Sequence, residues 1–182
     1  MYTEKTQDTL KAKIAELLMY SPRFSKTYAD TYIFEPSNED EERFGKLFIV
    51  IEIEHQRRTA KEVADAIATI MQHEYYQADG EGIEEHFERA ITKTNEILGD
   101  LAEQGETSWV SKIHAVIASL TDKQLYITKT GNASAFLFRN NEAINITENL
   151  YEEGLAKQEQ QTQSLDEVVA GDQNPLKTFM NV

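Results

Sequence analysis

Lys112-Ile113-His114-Ala115-Val116-Ile117-Ala118-Ser119-Leu120, near the start of the stretch Ser111 to Thr147, decides the fold class. The run is apolar at nearly every position, so the strand it forms is expected inside a sheet with a layer packed above and below. Three more short β-prone runs follow, Gln124 to Thr130, Ser134 to Arg139 and Ala143 to Thr147. Their separators are Thr121-Asp122-Lys123, Gly131-Asn132-Ala133 and Asn140-Asn141-Glu142, which supply the residues that tight turns use for positive φ or side-chain-to-backbone bonds. The spacing predicts an antiparallel meander and a layered domain.

Upstream, Val63, Ala66, Ile67, Ile70, Met71 and Tyr75 form one helical stripe, after a capping box predicted from Thr59 and Glu62. Asp79-Gly80-Glu81-Gly82 breaks that helix. Ile83, Phe87, Ala90, Ile91, Thr94, Ile97, Leu98 and Leu101 mark a second, ending near Gln104-Gly105. Two long one-sided helices need a flat apolar surface, and a sheet supplies it. Lys46 to Glu54 is a strand with Leu47, Ile49, Ile51 and Ile53 on one face and Phe48, Val50, Glu52 and Glu54 on the other. Lys26 to Glu35 is predicted to be its partner, with Pro36 to Glu42 an acidic loop between them. Leu10, Ile14, Leu17 and Leu18 predict a short amphipathic helix over Asp8 to Met19, ended by Ser21-Pro22. Tyr151 to Ser164 is polar, and Thr178-Phe179-Met180-Asn181-Val182 reads as a β-prone segment cut from a longer fold. The expected organisation is an N-terminal helix in 1–22, a core in 23–150, and a polar linker leading into an incomplete C-terminal part in 151–182.

With 40% hydrophobic and 27% charged residues in 182, the chain has the composition of one globular domain. Lys and Arg total 18 against 32 Asp and Glu, a formal charge of -14. Such a surface repels phosphate backbones and anionic lipids, so neither nucleic acid nor a membrane is an expected partner. The absence of cysteine excludes disulfides and a thiol nucleophile and fits a reducing compartment. No signal-like start and no bilayer-length apolar run occurs, so the cytoplasm is the expected location.

Leu47-Phe48-Ile49-Val50-Ile51-Glu52-Ile53-Glu54-His55-Gln56, followed by Glu62-Val63-Ala64 in the next helix, resembles the strand L-F-V-V-A-D-G-M-G-G and the helix G-E-x-A of the metal-dependent protein phosphatase family, the type 2C-like fold. Leu125-Tyr126-Ile127-Thr128-Lys129-Thr130-Gly131-Asn132-Ala133-Ser134-Ala135-Phe136-Leu137-Phe138-Arg139 resembles its L-Y-V-A-N-V-G-D-S-R-A-Y-L-Y-R. Ile144-Asn145-Ile146-Thr147 stands where the family has a leucine-threonine pair before Asp-His. The resemblance covers Lys26 to Leu150 and implies an α/β fold, an αββα sandwich, incomplete at the C-terminus.

It also implies what the chemistry should be. In the family, two Mg or Mn ions held by Asp and backbone oxygens activate a bridging water that attacks a phosphomonoester. The family's strand-end Asp corresponds to Glu52, one methylene longer, and the Gly after it to Ile53, whose branched side chain obstructs close backbone approach. Of the N-E-D motif, matched by Tyr28-Ala29-Asp30, only Asp30 remains. Asn38-Glu39-Asp40 spells the motif but lies in a loop behind the strand. Gly131 is retained, while Asn132 and Ser134 replace the Asp and Arg of G-D-S-R. Ile53, Gly131, Asn132 and Ser134 are thus vestigial motif positions, and the other metal-binding Asp residues of the family come from strands after the point where this sequence ends.

The expected reading is a catalytically inactive phosphatase-like domain, with no catalytic residues and no metal, acting as a binding or regulatory module. The alternative is a Mg- or Mn-dependent protein serine/threonine phosphatase with altered ligands, Asp30, Glu52 and Glu54; a third is an unrelated α/β domain that converged on the same meander. Other polar residues have plainer readings. His55 with Arg57 and Arg58 could grip a phosphate but suits a solvated loop. His114 reads as a hydrogen-bonded core histidine rather than an acid or base. His73 and His86 have no ligand-spaced partner, and Trp109 is a packing residue.

Overall fold

Lys46–Ile53 forms strand β2, and its alternation organises the molecule. Leu47, Ile49, Ile51 and Ile53 are fully buried, whereas Val50 on the other face is 54% exposed. The computed structural model describes residues 13–19, 26–77, 82–104, 107–122, 124–148 and 178–181. Around β2 lie β1 (Tyr28–Phe34), the one-turn α1 (Glu39–Glu42), the helices α2 (Arg57–Tyr75) and α3 (Ile83–Gln104), β3 (Ile113–Leu120), β4 (Leu125–Thr130), the hairpin β5 (Phe136–Arg139) and β6 (Glu142–Asn145), and β7 (Thr178–Asn181). Five strands make one antiparallel sheet in the order β1-β2-β3-β4-β7, and β5 and β6 make a second of two strands.

Helices α2 and α3 cover one face of the large sheet. Val63, Ile67, Met71 and Tyr75 of α2 and Phe87, Ala90 and Leu98 of α3 pack with the odd-numbered residues of β2 and with Ile113, Ala115 and Ile117 of β3 in one core. Tyr75, Phe44, Phe87 and His86 cluster at its end, with Phe44 5.7 Å from Tyr75 and 4.4 Å from His86. The Tyr75 hydroxyl donates to Phe44 O at 2.6 Å and also bonds the buried Ser119 hydroxyl, so both hydroxyls are satisfied inside the core. His86, expected to have no role, is a buried core residue whose Nδ1 donates to Tyr75 O at 3.1 Å. Trp109 is buried in the same core, as expected.

Three expectations need correction. The meander divides: β3 and β4 stay in the large sheet, while the chain after Gly131 leaves it and folds back as the β5–β6 hairpin. Ala133, Ala135 and Ile146 then pack on Val116 and Ile127, the face away from the helices, and the edge of β4 pairs with β7 instead. The predicted helix Asp8 to Met19 is not formed over residues 13–19, its first part lying outside the described residues. Leu17 stays 83% exposed, which leaves too little buried area to offset the ordering of a short helix. The capping box at Thr59 and Glu62 does not form, because α2 begins at Arg57 and Glu62 pairs with Arg58 at 3.1 Å. That chemistry occurs instead in the acidic loop, where Asn38 Oδ1 accepts from Glu41 N at 3.0 Å and Glu41 accepts from Ser37 N at 2.7 Å, making the single turn α1.

The hairpin turn is as expected. Asn140 and Asn141 have φ of 53° and 64°, the positive pair that a two-residue turn between right-twisted strands requires. Helices, large sheet and hairpin are three layers of the αββα arrangement. Among the described residues no helix is long and apolar enough to cross a membrane.

Burial raises the hydroxyls of Tyr75 and Tyr76 well above the usual 10. The folded chain keeps protons that the unfolded chain releases, so this contribution is intact below pH 10 and is lost as pH rises beyond it. Stability should fall by up to about 1.4 kcal/mol per pH unit for each tyrosine. Urea unfolding between pH 9 and 11.5 checks this, and Tyr76→Phe should show the shallower decline.

Candidate functional site

The face of the large sheet opposite the helices carries the groups that sequence reasoning singled out. In an antiparallel sheet, residues directly opposite share a face. Ala29, Glu52 and His114 are so aligned across β1, β2 and β3, and Thr31, Val50 and Val116 form the next row. Glu54 follows the end of β2, where its N–H donates to Lys112 O at 3.1 Å and continues the pairing.

The turn after β4 closes on this row. Gly131 has φ of 62°, and a Cβ there would lie 2.1 Å from His114 Nδ1 and 2.6 Å from Ile113 O. Only glycine fits, for both its backbone angle and its clearance. The close approach lets Asn132 N donate to His114 Nδ1 at 3.1 Å. With Nδ1 accepting, the ring proton sits on Nε2, which lies 3.4 Å from Glu54 Oε1. His114 is hydrogen-bonded as expected, but on the open face and partly exposed rather than in the core. The register explains it: His114 is paired with Glu52, not with an odd-numbered residue of β2.

Between this turn, the first three strands and residues 17 and 18 lies a cavity of about 470 Å³. Its apolar walls are Leu17, Leu18, Val50, Val116, Ala133 and Ala135; Glu52, Glu54, His114, Asn132 and Ser134 make the polar side. Of the vestigial positions, Asn132 and Ser134 line it and Gly131 shapes it. Ile53 does not, because it is buried under the helices opposite Tyr28 and Ile113, and a glycine there would leave a hole in the core.

Asp30 is the exception among the proposed ligands. It stands opposite Ile51, so its side chain belongs to the helix-covered face, the one from which Tyr32 reaches Asp65 of α2 at 2.8 Å. Its carboxylate accepts from the Tyr28 hydroxyl at 2.5 Å and from Thr31 N at 2.9 Å. Burial first, then the bond to Asp30, raises the Tyr28 hydroxyl and keeps it a donor. Asp30 borders the cavity from the edge strand, but Asp30 and Glu52 leave the sheet on opposite sides. Lys61, at 2.6 Å, holds the Asp65 carboxyl below the usual range and so steadies the acceptor of Tyr32.

The residues present do not fit a pair of Mg or Mn ions. Such a clamp needs several oxygen donors converging on ions about 3.5–4 Å apart. Here Asp30 faces away, Glu54 sits by His114, and among the described residues no group of three or more His, Asp or Glu side chains is placed to hold a metal. The second proposed cluster also disperses. His55 is buried and bonds Ser108 Oγ at 2.9 Å, while Arg58 pairs with Glu62. His73 is exposed on α2 beside Glu74.

Sequence reasoning missed two contributors to the site. Leu17 and Leu18 gave only a helical periodicity and no sign of the face they would meet. The bond from Asn132 to His114 joins residues 18 apart; its one signal was a glycine in a turn just after a strand.

No protein-family model and no curated protein matches the chain. Solved structures do. The chain is similar to the Mycobacterium tuberculosis serine/threonine phosphatase PstP/Ppp, with a TM-score of 0.51 and 11% identity over 86% of this chain and 73% of that one. It is similar to PppA, a key regulatory component of T6SS in Pseudomonas aeruginosa, with a TM-score of 0.51 and 11% identity over 87% and 72% of the two chains. The catalytic domain of PstP in complex with two manganese ions matches at 0.51 and 12% over 86% and 72%. The fold is therefore the type 2C-like phosphatase fold that the sequence resemblance implied.

Gly131→Ala should lower stability by roughly 2 kcal/mol or more, since it adds a left-handed backbone strain to a backbone clash. Gly131→Asn, which tolerates positive φ, should be no better, because its Cβ meets the same Ile113 oxygen. Urea titration of the two variants decides between clearance and backbone angle.

Proposed function

We propose that this chain is a phosphatase-like domain that acts by binding, as a regulatory or scaffolding module, and does not hydrolyse phosphomonoesters. The observation that carries this reading is the departure of Asp30 and Glu52 from opposite faces of one sheet. Carboxylates that leave a sheet on opposite sides are poorly placed to converge on one pair of ions. The cavity's charge supports the same reading. Asp30, Glu52 and Glu54 border it, and no Lys or Arg among the described residues does. Taken by itself, that charge favours a cationic group over a phosphate monoester.

The partner proposed is another protein rather than nucleic acid or an anionic membrane, given a charge of -14. The lack of cysteine fits the cytoplasm, the compartment proposed.

Assay of the 182-residue chain with p-nitrophenyl phosphate and Mg or Mn tests the proposal. The expected result is no turnover above the protein-free control and no rise in melting temperature as Mn is titrated, because an ion held only by the folded state would stabilise it. Metal-dependent turnover that disappears in Glu52→Ala would establish the phosphatase with altered ligands instead.

A further inference from the structure

We infer that the cavity beside Glu52 binds a primary ammonium or guanidinium group carried on an apolar stem. The inference rests on the reading of this cleft as a binding site and adds the chemistry of what it takes.

Shape and chemistry divide the cavity into two parts. Val50, Val116, Ala133, Ala135 and Leu18 offer walls without a polar side-chain atom, where a hydrocarbon stem loses its contact with water. Each methylene so covered favours binding by about 0.8 kcal/mol. At about 470 Å³ the space suits a small organic molecule rather than a bare ion.

The polar side selects the sign of the head group. Glu52 and Glu54 present carboxylates on the open face, one in the row of His114 and one 3.4 Å from its Nε2. Because Asn132 N donates to Nδ1, the imidazole is held in one orientation with Nε2 toward Glu54. The carboxylate of Asp30, at the edge, is occupied by Tyr28 and Thr31 N. Lys129 shares this face opposite Val116, yet it is not among the residues that line the cavity. The head group therefore meets two carboxylates, and no Lys or Arg among the described residues lines the cavity. An anion would meet the same pair, and a neutral head would forgo the charge-assisted bonds that an ammonium makes.

Both glutamates are exposed at this face and contribute nothing to the core, so they can be changed without touching the helix-covered side. Glu52→Gln and Glu54→Gln keep size and hydrogen-bonding capacity and remove only charge.

The test is a titration of the full chain, followed by amide NMR, with hexylammonium, hexanol and hexanoate as matched probes of one stem and three heads. Hexylammonium should shift the amides of Glu52, His114 and Asn132 saturably. Hexanol should bind at least about fivefold more weakly and hexanoate should not saturate. The double variant Glu52→Gln/Glu54→Gln, with an unchanged circular dichroism spectrum, should lose most of the preference for hexylammonium over hexanol; 0.5 M salt should reduce it too. N-butylguanidinium in place of hexylammonium should behave alike if the head is read by charge. Equal affinity for hexanol and hexylammonium, unaffected binding in the double variant, or shifts that never saturate would each overturn the inference. Metal-dependent phosphatase turnover would overturn the binding reading beneath it, whereas loss of the amine preference without turnover overturns the inference alone.

Discussion

Alternation along β2 is the constraint on which the rest of the structure depends. Side chains of a strand alternate strictly, so burying Leu47, Ile49, Ile51 and Ile53 beneath α2 and α3 commits Glu52 to the other face. Each of those four contributes about 1.5–3 kcal/mol on burial, a sum comparable with the whole stability of a domain. A slip of one residue would bury Glu52 and Glu54 in their place, at several kcal/mol for each carboxylate. The register is therefore fixed, and the positions of Asp30 and His114 follow from it through Ile51 and Glu52.

The same constraint makes the two faces of the sheet unlike. One is a closed core in which the hydroxyls of Tyr75 and Ser119 bond each other and Phe44 O. On the other, among the described residues, Ala133, Ala135 and Ile146 meet Val116 and Ile127, and Leu17 and Leu18 border the cavity. At the hairpin, Phe138 is 78% exposed, and at the sheet centre Val50 stays open. A face that is part apolar and part acidic, with a cleft at its boundary, is suited to amphipathic ligands.

Much of this was legible in the sequence. The stripes of α2 and α3, the faces of β2 and the Asn140-Asn141 turn were all written in local pattern, because each depends on residues a few positions apart. The cleft was less legible because its geometry depends on register. Nothing within Lys26 to Glu35 says which of its residues stands opposite Glu52, so Asp30 could be grouped with Glu52 and Glu54 when pairing puts Ala29 there. The division of the meander was hidden for a similar reason. Gly131-Asn132-Ala133 marks a turn equally well whether the chain stays in its sheet or crosses to another. Leu17 and Leu18 had helical spacing, but Leu17 stays exposed, and a short helix needs buried area more than it needs the spacing.

Cross-strand nuclear Overhauser contacts among β1, β2 and β3 measure the register directly. Contacts that pair Ala29 with Glu52 and Glu52 with His114 are the predicted result, leaving Asp30 on the side of Ile51. Contacts that pair Asp30 with Glu52 would put both carboxylates on one face and contradict the account.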